Sequence, residues 1–449
     1  MRKPVRLSTL VLVAMFALLS FQFDVAAQRR SNASTVSSIG LPKEPPKEQP
    51  RQPPKGLPAA PTAGSLIISE FRLRGPNGAN DEFIEIYNDS GADHTVTASS
   101  GTGYAIAASD GVVRCTIPNG TIIPARGHYL CVNNTAFSLA TYPAGTGSVG
   151  SGDAQYTSAV GGDIPDNAGI ALFNNNTGGG SFNLANRFDA VGSTSEADTL
   201  YKEGTGYPAL TPFSIDYAWV RDECGKGGAI TTLGRCTIST PKDTDNNATD
   251  FYFVDTNGTS AGGGQRLGAP GPESLSSPFQ RNSTIPAFLL DATVAQSSSP
   301  NRVRDFTSDP ANNSTFGTLS IRRRFTNNTG ADVTRLRFRV IDITTFPAPS
   351  GFADLRPRTS GSVVVSGIND SVTCTAAGQA TPCSVTVQGT TLEQSPAQPN
   401  GGGFNSSLSA GTVTLGTPLA NGSSIDVQFL VGIQQTGSFK IYVNVEALP

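Results

Sequence analysis

From Ile425 to Val445 the bulky apolar residues fall on alternate positions: Ile425, Val427, Phe429, Val431 and Ile433, then Phe439, Ile441, Val443 and Val445. A helix cannot bring every second side chain to one face, whereas a strand does so because successive side chains point to opposite sides. These segments are therefore strands with one buried face, and Gln435-Thr436-Gly437 between them predicts a C-terminal hairpin. The alternation recurs at Leu319, Ile321 and Phe325 and at Leu336, Phe338 and Val340, with Thr326-Asn327-Asn328-Thr329-Gly330 as the intervening turn. Earlier apolar runs, such as Phe83-Ile84-Glu85-Ile86-Tyr87, Tyr129-Leu130-Cys131-Val132 and Tyr217-Ala218-Trp219-Val220, are each bounded by Gly, Pro, Asn or Asp. With 49 Gly, 31 Pro and only 15% charged residues, the composition suits many short strands and turns. The fold class that follows is all-β.

A chain of 449 residues holds more than one domain of ordinary size. Its first residues combine a basic stretch (Met1 to Arg6), an apolar run (Leu7 to Phe21) and small residues at Val25-Ala26-Ala27. That pattern reads as a signal peptide over 1–27, with an uncleaved anchor as the alternative, since the apolar run falls short of the roughly 20 residues that span a bilayer. Residues 28–64 read as a proline-rich linker, with Pro-Lys-Glu-Pro-Pro-Lys-Glu-Gln-Pro as a semi-rigid spacer. The first β domain occupies 65–272, including a Gly- and Ser-rich surface insertion from Gly145 to Gly162. A Ser- and Pro-bearing linker follows at 273–285, and a second antiparallel β-sandwich at 286–449. No later stretch has membrane-spanning length, so no membrane span is expected after signal cleavage. Six cysteines fall into local pairs, Cys115 with Cys131, Cys224 with Cys236 and Cys374 with Cys383, which suits disulfides in an oxidising compartment. The expected location is thus secreted, extracellular or in the cell envelope.

Leu66-Ile67-Ile68-Ser69-Glu70-Phe71 followed by Asp81-Glu82-Phe83-Ile84-Glu85-Ile86-Tyr87-Asn88 resembles the opening of a bacterial lamin-tail domain. The resemblance continues through Ile123 to Leu130, Phe188 to Gly192 and Leu267-Gly268-Ala269-Pro270-Gly271-Pro272, covering about residues 65–272. It departs at Thr97 to Tyr104, which lacks the tryptophan of the family's frequent Ser-Gly-Trp segment. The resemblance implies an immunoglobulin-like (Ig-like) β-sandwich with insertions. Such modules often accompany nucleases or other hydrolases.

Several strings could carry chemistry. Gly258-Thr259-Ser260-Ala261-Gly262 fits the serine elbow GxSxG, but the glycines and Pro270 after it deny the helix an elbow requires. A serine triad also needs a histidine, and the chain has only His94 and His128. Gly145 to Gly150 matches GxGxxG with no helix-forming sequence behind it. Asp243, Asp245, Asn247 and Asp250 place oxygen atoms close together in one loop, making calcium the one cofactor candidate, though the loop lacks the EF-hand's Gly and Glu. Carboxylates gather at Glu70, Asp81, Glu82 and Glu85, where strand geometry lets only some converge. Arg335, Arg337 and Arg339 alternate with Leu336, Phe338 and Val340, and Arg322 and Arg324 lie outward on the preceding strand. If those strands pair, the arginines form one exposed face for a polyanion; otherwise they are a solvent face that resists aggregation.

The expected function is a non-enzymatic extracellular or cell-envelope binding or scaffolding protein, with an unknown extracellular polymer or protein as partner. The net charge of −3 gives no specific nucleic-acid signal. The alternatives are an accessory module of an exported hydrolase or nuclease system, or a structural surface-matrix component. Helical layers, or a deep pocket converging on His94 or His128, would overturn this reading.

Overall fold

Short apolar runs between turn residues become strands throughout the computed structural model, which describes residues 65–210, 214–223, 241–258 and 266–449. The expected signal peptide and proline-rich linker lie outside the described residues, as do Cys224, Cys236 and Thr259 to Gly262. The architecture is all-β, with several mainly antiparallel sheets. Among the described residues no helix is long and apolar enough to cross a membrane.

In the first half, a seven-stranded sheet runs in the order Arg266–Leu267, Phe251–Asp255, Tyr217–Arg221, Leu66–Arg72, Phe83–Asn88, His128–Asn133, Ala154–Tyr156. A four-stranded sheet, in the order Arg187–Val191, Ile170–Phe173, Gly103–Ala108, Val113–Pro118, shares an apolar cluster with it. Phe71, Ile84, Trp219 and Phe253 from the larger sheet meet Tyr104, Ile106, Ile117 and Leu172 from the smaller. The Cys115–Cys131 disulfide joins the two sheets with a Cα–Cα distance of 6.1 Å and a sequence separation of 16. Closing a loop of that length contributes about 3 kcal/mol in the chain-entropy model. The expected Cys374–Cys383 bond is also formed, between Ser371–Ala376 and Cys383–Val387.

The second half corrects the expected hairpins. Ser424–Gln435 pairs with Thr318–Thr326 and Asp354–Arg358, while Ile441–Leu448 pairs with Arg335–Ile343 and Phe279–Gln280. The turn at Gln435-Thr436-Gly437 therefore carries the chain from one sheet to another, as does the turn after Thr326. Alternation encodes which face is buried, not which strand lies alongside. Buried side chains of the two sheets meet directly, with the Phe338 ring centroid 4.7 Å from Phe325 and 4.9 Å from Phe429.

Two segments expected at the surface are also built in. Within 273–285, read as a linker, Glu273, Ser274, Ser277 and Ile285 are buried and Phe279–Gln280 is a strand. Within 145–162, Val149 and Tyr156 are buried, because even a Gly-rich segment hides the few bulky groups it carries.

One apolar cluster includes Phe83, Leu130, Val132 and Tyr252 from the first half and Leu336, Phe338, Phe404 and Val427 from the second. Tyr252 packs edge-on against Phe404 at 5.0 Å. Beside them Phe404 N donates to Leu267 O at 2.9 Å, and Ala269 N donates to Phe404 O at 3.1 Å. Gly268 permits this approach, since a Cβ there would lie 2.1 Å from Phe404 O. All the described residues fall within one compact unit, Gly56–Pro449.

Candidate functional site

Pairing of Leu66–Arg72 with Phe83–Asn88 sets Glu70 opposite Glu85, next to a register shift between Ile68 and Glu70. The neighbouring strand His128–Asn133 sets His128 opposite Tyr87. The Pro270 to Pro272 segment then crosses these side chains. Gly271 N donates to Glu70 Oε1 at 2.8 Å, and Glu273 N donates to Glu85 Oε2 at 2.6 Å. In the second half, Arg337 stands opposite Glu446 in the pairing of Arg335–Ile343 with Ile441–Leu448. Two charged surfaces, one from each half, thus close on each other.

Their contacts form a continuous network. Arg337 Nε donates to Glu446 Oε2 at 2.7 Å, and Arg339 Nε donates to Glu446 Oε1 at 2.9 Å. Both guanidinium groups also pair with Glu273 Oε1, Arg339 at 3.0 Å. Arg339 Nη1 donates to Asn405 Oδ1 at 2.8 Å, and Asn405 Nδ2 donates to Glu70 Oε2 at 2.8 Å. Ser69 Oγ donates to Glu85 Oε1 at 2.5 Å. His128 Nε2 lies 3.3 Å from Glu273 Oε2 and 3.8 Å from Glu85 Oε1, while its buried Nδ1 has no hydrogen-bond partner among the described residues. The imidazole ring packs 5.0 Å from Tyr87. A small, partly open cleft reaches Ser69, Glu70, Glu85, His128, Glu273 and Arg339.

Burial governs the protonation of these groups. It raises the Glu70 carboxyl, with Arg339 opposing, and it raises Glu85 much further, reinforced by Glu70. Burial holds His128 well below the ordinary imidazole range, and Arg339 and Arg337 depress it more. For Arg339 burial works the other way, but the field of Glu446 with Tyr142, Glu70 and Glu85 outweighs it and raises the group. At neutral pH His128 is accordingly a neutral imidazole, able to offer a lone pair and poorly suited to carrying a proton.

The structure redistributes the residues singled out from sequence. The five arginines do not share a face, because Thr318–Thr326 and Arg335–Ile343 belong to different sheets. Arg337 and Arg339 are buried in the network described, and Arg324 is buried against Asp426 at 2.9 Å. Arg322 donates to Gln428 at 3.3 Å and Arg335 to Glu393 at 2.9 Å. The exposed polyanion face is therefore corrected to a set of paired and largely covered guanidinium groups.

Asp243, Asn247 and Asp250 are committed to separate partners, and Asp245 is exposed. Asp250 accepts from Thr244 N at 2.8 Å, and Asn247 Oδ1 accepts from Gly192 N and Glu203 N, each at 3.0 Å. Asp245 takes a left-handed φ of 54° in the turn. Asp243 lies instead among Asp189 and Glu203, with Arg221 Nη1 3.3 Å from its carboxylate.

Of the four carboxylates in the first hairpin, Glu70 and Glu85 converge. Asp81 pairs with Arg72, and Glu82 accepts from Asn133, Tyr156 and Ile164. His94 stands apart, with Nε2 3.1 Å from the Tyr104 hydroxyl. The GxGxxG string forms turns that lead into Ala154–Tyr156 rather than a helix.

Glu273, Glu446 and Asn405 carry much of the cluster and were not singled out from sequence. Glu446 had a legible signal, since it occupies the polar parity of the alternating strand Ile441–Leu448. No family model matches the chain, and neither a curated protein nor a solved structure matches it.

Proposed function

We propose that this chain is a non-enzymatic extracellular or cell-envelope binding or scaffolding protein. Its two halves would be β-sandwiches, the first lamin-tail-like and immunoglobulin-like, acting as one rigid body. The observation that carries this reading is the commitment of Arg337 and Arg339 to Glu273 and Glu446 inside the molecule. Removing one partner from a buried ionic network costs about 3–5 kcal/mol, so the network opposes any relative motion of the elements it joins. A rigid frame leaves recognition to the surface.

One surface feature fits recognition. Phe306 and Phe316 are 79% and 48% exposed, and both touch Arg304, whose guanidinium lies 4.5 Å from the Phe306 ring centroid and donates to Phe316 O. Exposed aromatics beside an arginine have the composition of binding hot spots. The two disulfides among the described residues support an oxidising location.

The cleft at His128 favours a second reading, an accessory module of an exported hydrolase or nuclease system. A screen of the purified chain against glycans, polyanions and envelope proteins, run beside a hydrolase panel, separates the two. The proposal expects saturable binding that Phe306→Ala weakens at least about tenfold, without turnover. Turnover abolished by His128→Ala would sink it.

A further inference from the structure

We propose that Glu85, His128 and Glu273 bind one divalent transition-metal ion of the zinc, manganese or iron class at the cleft. Two ligand atoms each about 2.1 Å from a common ion stand about 3.0–3.4 Å apart at octahedral to tetrahedral angles. His128 Nε2 and Glu273 Oε2 are 3.3 Å apart, within that range, and Glu85 Oε1 lies 3.8 Å from the same nitrogen, a little outside it. One ligand atom from each residue falls within 4.8 Å of the others.

Burial of the carboxylates supplies a second argument. Glu70, Glu85, Glu273 and Glu446 gather here with Arg337 and Arg339, and all six are buried, so the surround of the cleft is rich in carboxylates. The imidazole adds a third argument. It is 8% exposed, Nδ1 has no partner among the described residues, and a carboxylate oxygen of Glu273 and one of Glu85 lie within 3.8 Å of Nε2.

Behind the two carboxylate ligands the far oxygens are already fixed, as an orienting outer layer requires. Glu85 Oε2 is held by Glu273 N at 2.6 Å, and Glu273 Oε1 by Arg337 and Arg339. Ser69 Oγ takes one lone pair of Glu85 Oε1 and leaves another. One imidazole nitrogen with two carboxylates selects a transition metal over calcium, which prefers an all-oxygen shell of higher coordination number.

The test uses the full chain, the bare ions Zn²⁺ and Mn²⁺, and Cu²⁺ as a spectroscopic probe. After dialysis against Zn²⁺, elemental analysis is expected to find one equivalent per chain. The electron paramagnetic resonance spectrum of the Cu²⁺ form is expected to show coupling to a single imidazole nitrogen. Because the chain has only two histidines, His94→Ala should keep both signals. His128→Ala should lower Zn²⁺ affinity by at least about 100-fold. Absence of stoichiometric Zn²⁺ and Mn²⁺ from the wild type overturns the proposal, as does nitrogen coupling that is missing from the wild type or lost in His94→Ala. The wild-type and His94→Ala measurements decide the matter even if His128→Ala fails to fold.

Discussion

Replacing Phe338 with alanine tests whether the halves are energetically one body. Phe338 is fully buried in the second half, between Phe325 at 4.7 Å and Phe429 at 4.9 Å. Deleting such a ring removes its apolar burial and leaves a cavity, at a cost of about 3–5 kcal/mol. The chain's single tryptophan, Trp219, is buried in the first half and belongs to a different apolar cluster from Phe338. Its fluorescence therefore reports the unfolding of one half while the lesion sits in the other. If the shared core couples them, the tryptophan transition in guanidinium chloride moves with the mutation. With an m-value on the order of 5 kcal/mol per molar, the midpoint falls by roughly 0.6–1 M. A tryptophan midpoint that stays in place while far-ultraviolet circular dichroism gains a separate, earlier step would refute the reasoning.

Three further predictions follow from particular groups. Glu82 is pushed from 4.5 up to about 7 by burial, against the donors Asn133, Ile164 and Tyr156. Its stabilising contribution is full below pH 4.5 and is lost as pH rises through about 7, amounting to about 3 kcal/mol. Glu82→Gln cannot ionise and should gain on the wild type from about pH 5 to about pH 8 in denaturant titrations, and a pH-independent gap would count against this assignment. Arg339→Met should destabilise by about 3–5 kcal/mol by leaving Glu446, Glu273 and Asn405 without that partner, and a loss below about 1 kcal/mol in thermal unfolding would contradict it. Gly268→Ala should cost about 1–3 kcal/mol, because its Cβ would meet Phe404 O at 2.1 Å, and an unchanged unfolding temperature would show that the junction yields freely.

Strand positions and the parity of buried residues were legible in sequence, as Phe338 and Val427 show. Strand partners were not. Gln435-Thr436-Gly437 has the chemistry of a hairpin turn, yet it joins strands that pair elsewhere. Parity also misled at Arg337 and Arg339, because the polar face of a strand need not be a wet one. Arg339 finds Glu446 across 107 positions, a separation that leaves no local trace in sequence. Asp243 to Asp250 shows the converse, since evenly spaced oxygens describe a self-capped turn as well as an ion site. His128 had no partner visible near it, and only the fold brings Glu85 and Glu273 to it.

Scanning calorimetry of the intact, oxidised chain tests most directly whether a common core and a buried ionic seam make the halves one body. Coupling predicts one endotherm whose calorimetric and van't Hoff enthalpies agree. Two resolved endotherms, with only one of them displaced by Phe338→Ala, would contradict it.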